Sequence, residues 1–282
     1  MHLDIFRSLW GDHRSWDVAL PTGPDSDFDG IEARIPSTMA QAEMGAQLLH
    51  DRNIPWIGIA ITGGDVVPHQ AATPEDHLVD LSNAIERARI MPVRFISVLG
   101  GNDRWPATVQ ADFIARAQDI CMRAGMTCCF ETHRSRILAT PWITLDVIRL
   151  RPDALFTADI SHWVVCCERL LNDPLDDFSP FVERVHHIQA RVGQPQAPQV
   201  THPAAPEHAA ALHFHQEVWE QIWASQRARA YATTTLTSEF GPDGYLPSLP
   251  FTDAPVADLA QLNRWMAHTE REHFMRLHTT SL

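Results

Sequence analysis

The sequence predicts a single (β/α)8 barrel, a TIM barrel spanning residues 1–282, and three observations predict it. Short β-type runs recur eight times, helical patterns separate most of them, and no internal repeat or low-complexity tract competes with that alternation. At 282 residues and 45% hydrophobic content, one large α/β domain fills the whole length.

The runs, in order, are "HLDIFRSLW" (2–10), "GIEARIP" (30–36), "IPWIGIAIT" (54–62), "VRFISVLGG" (93–101), "MTCCFETH" (126–133), "ALFTADISH" (154–162), "VHHIQARVG" (185–193) and "TTTLTSEFG" (233–241). Between the third and fourth, Thr73 and Pro74 with Asp76 three residues after Thr73, then Leu78, Leu81 and Ile85, spell a capped amphipathic helix. Pro106 opens another through Val109, Phe113, Ala117 and Ile120 that stops at Gly125. Thr140 and Pro141 start a third that stops before Pro152. Two connections are helix-poor: residues 11–29, with four Gly or Pro residues and room for one helical turn, and residues 163–184, interrupted by Pro174 and Pro180.

In such barrels catalytic groups sit at the C-terminal ends of the strands. The fifth run ends "CCFETHRSR", an apolar stretch that turns abruptly ionisable and places Glu131 and His133 there. The sixth ends with Asp159 and His162, the seventh alternates His187, Gln189 and Arg191, and the eighth ends in Glu239. Alternate strand residues share a side, so His187, Gln189 and Arg191 point together while Ile188 and Ala190 face the helices; His186 faces away from His187.

Net charge is −13, and all 22 basic residues are arginine. With no lysine, Schiff-base, pyridoxal-phosphate and P-loop chemistries are closed. The acidic balance argues against a nucleic-acid backbone as partner. Three carboxylates converging on one rim repel one another, and a divalent cation (Mn²⁺, Mg²⁺ or Co²⁺) is the simplest remedy. Glu131, Asp159 and Glu239 are the carboxylate ligands, and the fourth is Gln189 or His187. A single glutamate at a strand end is more often a helix cap or an arginine partner; it is the recurrence on strands five, six and eight that points to a site. His133 and His162, each just past a better-placed carboxylate, are substrate-facing groups or supports for the ligands.

The five cysteines (Cys121, Cys128, Cys129, Cys166, Cys167) form a poor disulfide framework, and neither a signal segment nor an apolar run of roughly 18 residues occurs. A cytoplasmic, soluble protein without a membrane partner is expected. Two proline-rich loops, residues 193–210 and 241–255, are expected on the catalytic rim as substrate contacts or as the contact of a homo-oligomer. "GGNDRW" places Asp103, Arg104 and Trp105 on that rim, and Trp10, Trp56, Trp105 and Trp163 are candidate sugar-stacking platforms, with Trp10 and Trp105 assigned to substrate.

The segments "FETHRSR", "TADISHW", "HIQARVGQPQAPQV" and "SEFGP" resemble the xylose isomerase-like barrels, the sugar phosphate isomerase/epimerase family that also holds the AP endonuclease family 2 fold. By that resemblance Glu131, Asp159, Gln189 and Glu239 match the metal ligands, with Gln189 standing where ketose 3-epimerases have histidine. His162 and Arg191 match residues that contact substrate oxygens, although Arg191 follows strand seven more closely than in those enzymes. The resemblance implies an enediolate reaction on a small keto-sugar, with Glu131 and Glu239 moving protons on two sides: isomerisation or epimerisation, or, with loss of a β-hydroxyl, a lyase reaction on a keto-sugar or keto-inositol. A non-catalytic sugar-binding protein is the remote alternative. An endonuclease would need more histidine ligands and a basic surface.

Overall fold

Eight parallel strands close on themselves in the computed structural model, which describes residues 1–20 and 27–279. They are β1 (His2–Ser8), β2 (Gly30–Arg34), β3 (Trp56–Ile61), β4 (Val93–Leu99), β5 (Cys128–Glu131), β6 (Phe156–Ala158), β7 (Val185–Ala190) and β8 (Thr233–Ser238). Each pairs with the next in sequence, and β1 returns to β8 over six consecutive positions from His2↔Thr233 to Arg7↔Ser238. Residues 21–26, part of the helix-poor connection at 11–29, lie outside the described residues; the one turn expected there is α1 (Trp16–Ala19).

The connecting helices start and stop where their caps dictate. After α2 (Met39–Arg52), α3 (Pro74–Ala88) opens on a reciprocal box in which Thr73 Oγ1 accepts from Asp76 N–H at 3.3 Å and Asp76 Oδ2 accepts from Thr73 N–H at 2.8 Å, a cap worth roughly 1 kcal/mol. Next, α4 (Ala107–Arg123) begins after Pro106 and ends before Gly125, whose φ of +73° is one a side chain would resist. The helix α5 (Pro141–Leu150) has Pro141 in its first turn. The interrupted sixth connection breaks into α6 (Ser161–Cys167) and α7 (Ser179–Val182), and two long helices, α8 (Ala209–Ala228) and α9 (Leu259–Thr279), complete the outer layer.

Strand alternation divides the apolar residues into two clusters. Ile5, Trp56, Ile96, Cys128 and Leu236 pack outward against helices, whereas Phe6, Ile57, Phe95 and Cys129 form a separate apolar plug inside the barrel. Two positions of register slip from the sequence reading. The sixth run yields only three strand residues, so Ser161 and His162 belong to the first turn of α6. A register shift on β7, where Val185 pairs with Phe156 and His187 with Thr157, makes His186 a bulge. His186 therefore does not face away from His187: both rings pack on Phe95, at centroid distances of 4.7 and 5.3 Å. No described helix is long and apolar enough to cross a membrane.

Candidate active site

Strand ends bring Glu131, Asp159, Gln189 and Glu239 to one end of the barrel interior, with Arg191 just beyond β7. All are buried. A cavity of about 440 Å³ opens onto Glu131, Glu239 and Arg191, with His133, Trp10, Trp16 and Tyr245 also in its walls, while Asp159 and Gln189 stand behind that lining.

The arginine organises the carboxylates. Arg191 Nη2 pairs with Asp159 Oδ2 and lies 3.6 Å from Glu239 Oε2, while Nε donates to Ser161 Oγ at 3.1 Å. Burial works against its charge, but Asp159 and Glu239 outweigh burial and hold it above the usual range. Its guanidinium lies 4.6 Å from the Tyr245 ring centre and 5.5 Å from that of Trp10. Asp159 also accepts from Ser161 N–H at 3.1 Å, a bond that fixes the start of α6.

Compensation stops there. A fourth carboxylate, Glu32 on β2, is fully buried beside Gln189, whose amide donates to Glu32 Oε1 at 3.3 Å and Glu239 Oε1 at 3.2 Å. Glu32 Oε2, Glu239 Oε2, Gln189 Oε1 and the Arg191 Nη1 donor have no hydrogen-bond partner among the described residues. Burial, then Asp159 and Glu32, push the Glu131 carboxyl up to about 8, and burial raises Glu239 well above the carboxylate range despite Arg191. Sequence reading missed Glu32; its signal was an acid between the apolar Ile31 and Ala33 of the second run.

Two histidines stand beside the carboxylates. His133 Nδ1–H donates to the Arg134 carbonyl at 2.5 Å, which leaves Nε2 to accept from Tyr245 OH at 3.4 Å. Its ring lies 3.9 Å from that of His162. Both His162 ring nitrogens meet arginine donors, Nδ1 at 3.1 Å from Arg134 Nη1 and Nε2 at 3.0 Å from Arg191 Nη2, and a neutral ring accepts from only one of them; Nε2 also lies 3.3 Å from Asp159 Oδ2. Burial, followed by neighbouring Arg191 for His133 and by His133 and Arg191 for His162, holds both well below the ordinary imidazole value. Glu131, His133 and His162 each offer one ligand atom within 4.8 Å of the others, a second donor set that could hold a metal ion.

Other expected residues lie elsewhere. His187 is a layer deeper, between Thr235 Oγ1 at 2.8 Å and Thr237 Oγ1 at 3.1 Å, and lines no part of the cavity. Trp105 packs against His77 and Phe113 beneath the rim, and Trp56 and Trp163 are core residues, so substrate platforms at these positions are corrected. Trp10 does line the cavity, its Nε1 donating to Asp243 at 2.8 Å; a Cβ on Gly241 would overlap its indole. The loop after β8 thus contributes Asp243 and Tyr245, whereas Gln199 of the loop after β7 hydrogen-bonds Gly241 in both directions and braces that loop without reaching the cavity. Tyr245 was missed, though it is one of only two tyrosines and sits in a loop expected at the rim.

No protein-family model and no curated relative matches the chain. Solved structures do match in fold. A D-tagatose 3-epimerase-like protein shares 11% identity over 100% of both chains, with a TM-score of 0.64. The probable 3-DHS dehydratase involved in petrobactin synthesis from Bacillus anthracis shares 14% over 96% of this chain and 99% of that one, with a TM-score of 0.58. Endonuclease IV from Thermus thermophilus shares 13% over 98% and 100%, with a TM-score of 0.56. The likeness shows the (β/α)8 barrel fold, a scaffold these three share under names that describe different chemistries.

Proposed function

We propose that the protein is a divalent-metal-dependent sugar isomerase or epimerase that works through an enediolate on a small keto-sugar. One observation carries this reading: Glu131 and Glu239 line the cavity with the buried carboxylates Asp159 and Glu32 behind them, Arg191 pairs with Asp159 and Glu239, and two carboxylate oxygens and an amide oxygen are left without a donor among the described residues. Hard oxygen donors in excess of their counter-charge fit Mn²⁺, Mg²⁺ or Co²⁺. Glu131, Gln189 and Glu239 would hold the cation, with Asp159, now engaged by Arg191, as the fourth ligand. When bound, it supplies polarisation of a substrate carbonyl and acidifies the adjacent C–H.

The chain supplies the proton traffic. Glu131 lines the cavity from the end of β5, where its carboxyl is placed to take a proton from a bound substrate and return it. Glu239 reaches the cavity from β8 rather than β5, so removal by one and return by the other inverts a carbon; return to the neighbouring carbon interconverts aldose and ketose. The free Nη1 of Arg191 is a donor available to the oxygen on which charge builds. Trp10 and Trp16 offer aromatic surface to sugar C–H groups, while the Tyr245 ring is already met by Arg134 and Arg191. Loss of a β-hydroxyl after the same proton removal makes the enzyme a lyase, an exit supported by the barrel shared with a dehydratase.

Incubation with ketoses, aldoses and keto-sugars in D₂O with Mn²⁺ tests the reading. Deuterium at a single carbon of one sugar is expected, and the product identifies epimerase, isomerase or lyase. No exchange with any sugar, together with no cation binding by calorimetry, would leave a sugar-binding protein. Glu131, His133 and His162 form the alternative donor set. Gln189→Ala weakens cation binding under the first assignment, and His133→Ala does so under the second.

A further inference from the structure

The four groups that would hold the cation are not equally free. Gln189 Oε1 and Glu239 Oε2 have no hydrogen-bond partner among the described residues, and Glu131 lines the cavity directly. Asp159 differs from all three. Its Oδ1 accepts from Ser161 N–H at 3.1 Å and from Ser161 Oγ–H at 2.5 Å, while its Oδ2 is paired with Arg191 Nη2 and lies 3.3 Å from His162 Nε2.

The guanidinium of Arg191 is buried, and the same Nη2 that meets Asp159 lies 3.6 Å from Glu239 Oε2. A positive charge therefore already lies between two of the carboxylates that would hold the cation. Its seat does not depend on the Asp159 bond alone, because Nε donates to Ser161 Oγ at 3.1 Å and the guanidinium lies 4.6 Å from the Tyr245 ring centre and 5.5 Å from that of Trp10. Nη1 has no partner among the described residues.

The geometry points to Arg191 as a built-in counter-ion that competes with the divalent cation for Asp159, so that loading the site requires Nη2 to release Oδ2. This rests on the cation site proposed above and names the residue that sets its affinity. A protein whose binding-competent form is a fraction of the whole binds more weakly by that fraction, and the buried Arg191–Asp159 pair keeps the fraction small. The same pair steadies the cation-free protein, where the carboxylates would otherwise repel one another. Release also frees a second donor beside Nη1, which ties the arginine's availability to substrate oxygens to the presence of the cation.

Titration of the full chain and of Arg191→Gln with Mn²⁺ by calorimetry, with urea unfolding of both in the absence of the cation, is the test. The variant is expected to bind Mn²⁺ about 10-fold tighter or better, and without the cation to unfold at lower urea. An arginine that only shapes the site gives the opposite sign, since its loss would distort the ligands and weaken binding. Tyr245→Leu leaves Arg191 in place but removes a ring that seats it, and a gain in affinity of about threefold is expected there. No gain in Arg191→Gln, or, should that variant not fold, none in Tyr245→Leu, overturns the inference while Mn²⁺ binding by the wild type upholds the cation site. Absence of Mn²⁺ binding in the wild type and in both variants overturns the cation site itself, and the inference with it.

Discussion

Two clusters of buried acids in this protein are built on opposite terms. In the seam between α8 and α9, Glu270 is fully buried, yet Gln216 donates to its Oε1 at 2.7 Å and His273 Nδ1 to its Oε2 at 3.0 Å, while His273 Nε2 meets Glu220 at 2.7 Å. Both ring nitrogens face carboxylates, so hydrogen bonds donated to Glu270 and Glu220 outweigh burial and raise His273 above the ordinary value. At the rim, Arg191 pairs with Asp159 and Glu239, and Glu32 and Glu239 each keep an oxygen without a donor among the described residues. A satisfied cluster fastens two helices. An unsatisfied one is costly to keep and is the signature of a site that expects something else.

The sharpest way to break this contrast is to neutralise the rim. Glu131→Gln and Glu239→Gln keep the side-chain shape but lose the basic lone pair, and turnover in the D₂O assay is expected to fall roughly 10²-fold or more in each. Asp159→Asn should instead lose activity in step with cation binding and recover part of it at saturating Mn²⁺. If all three are rescued alike by metal, Glu131 and Glu239 carry no protons.

Stability gives the next largest effect, and its sign separates the clusters. The folded state raises Glu131 from 4.5 to about 8, so its contribution is complete below 4.5 and is lost as pH climbs through about 8. Glu131→Gln should therefore stabilise the cation-free protein at pH 8, by on the order of a few kcal/mol in urea unfolding, and change little at pH 4. In the seam the same kind of change does harm: Glu270→Ala leaves His273 and Gln216 without a buried partner and is expected to cost about 2–4 kcal/mol. His273→Gln is the smallest. The protonated ring is favoured in the fold, so its contribution is full below 6.5 and fades as pH rises above it; the variant should cost about 1 kcal/mol at pH 6 and less at pH 9. A stabilising Glu270→Ala would show that the seam, too, is built for something other than packing.

Much of this was legible because strand alternation is local. Ile188 and Ala190 outward with Gln189 inward follow from a two-residue period that can be counted along the chain, and the same count, not made on β2, would have turned Glu32 inward between Ile31 and Ala33. The eight runs, three helix starts and the gathering of Glu131, Asp159, Gln189 and Glu239 at strand ends were fixed in that way, together with the chemistry that a lysine-free chain forgoes. Height along the barrel axis was not, because it depends on the stagger between strands and on bulges such as His186. Only the closed barrel put His187 a layer below Gln189, joined Glu32 of β2 to Gln189 of β7 across 157 residues, and laid Arg191 against Asp159. Loops obey no period at all. Tyr245 entered the site and Trp105 left it because side-chain direction there is set by contacts with distant segments, Asp243 with Trp10 and His77 with Trp105, which exist only after the chain has folded.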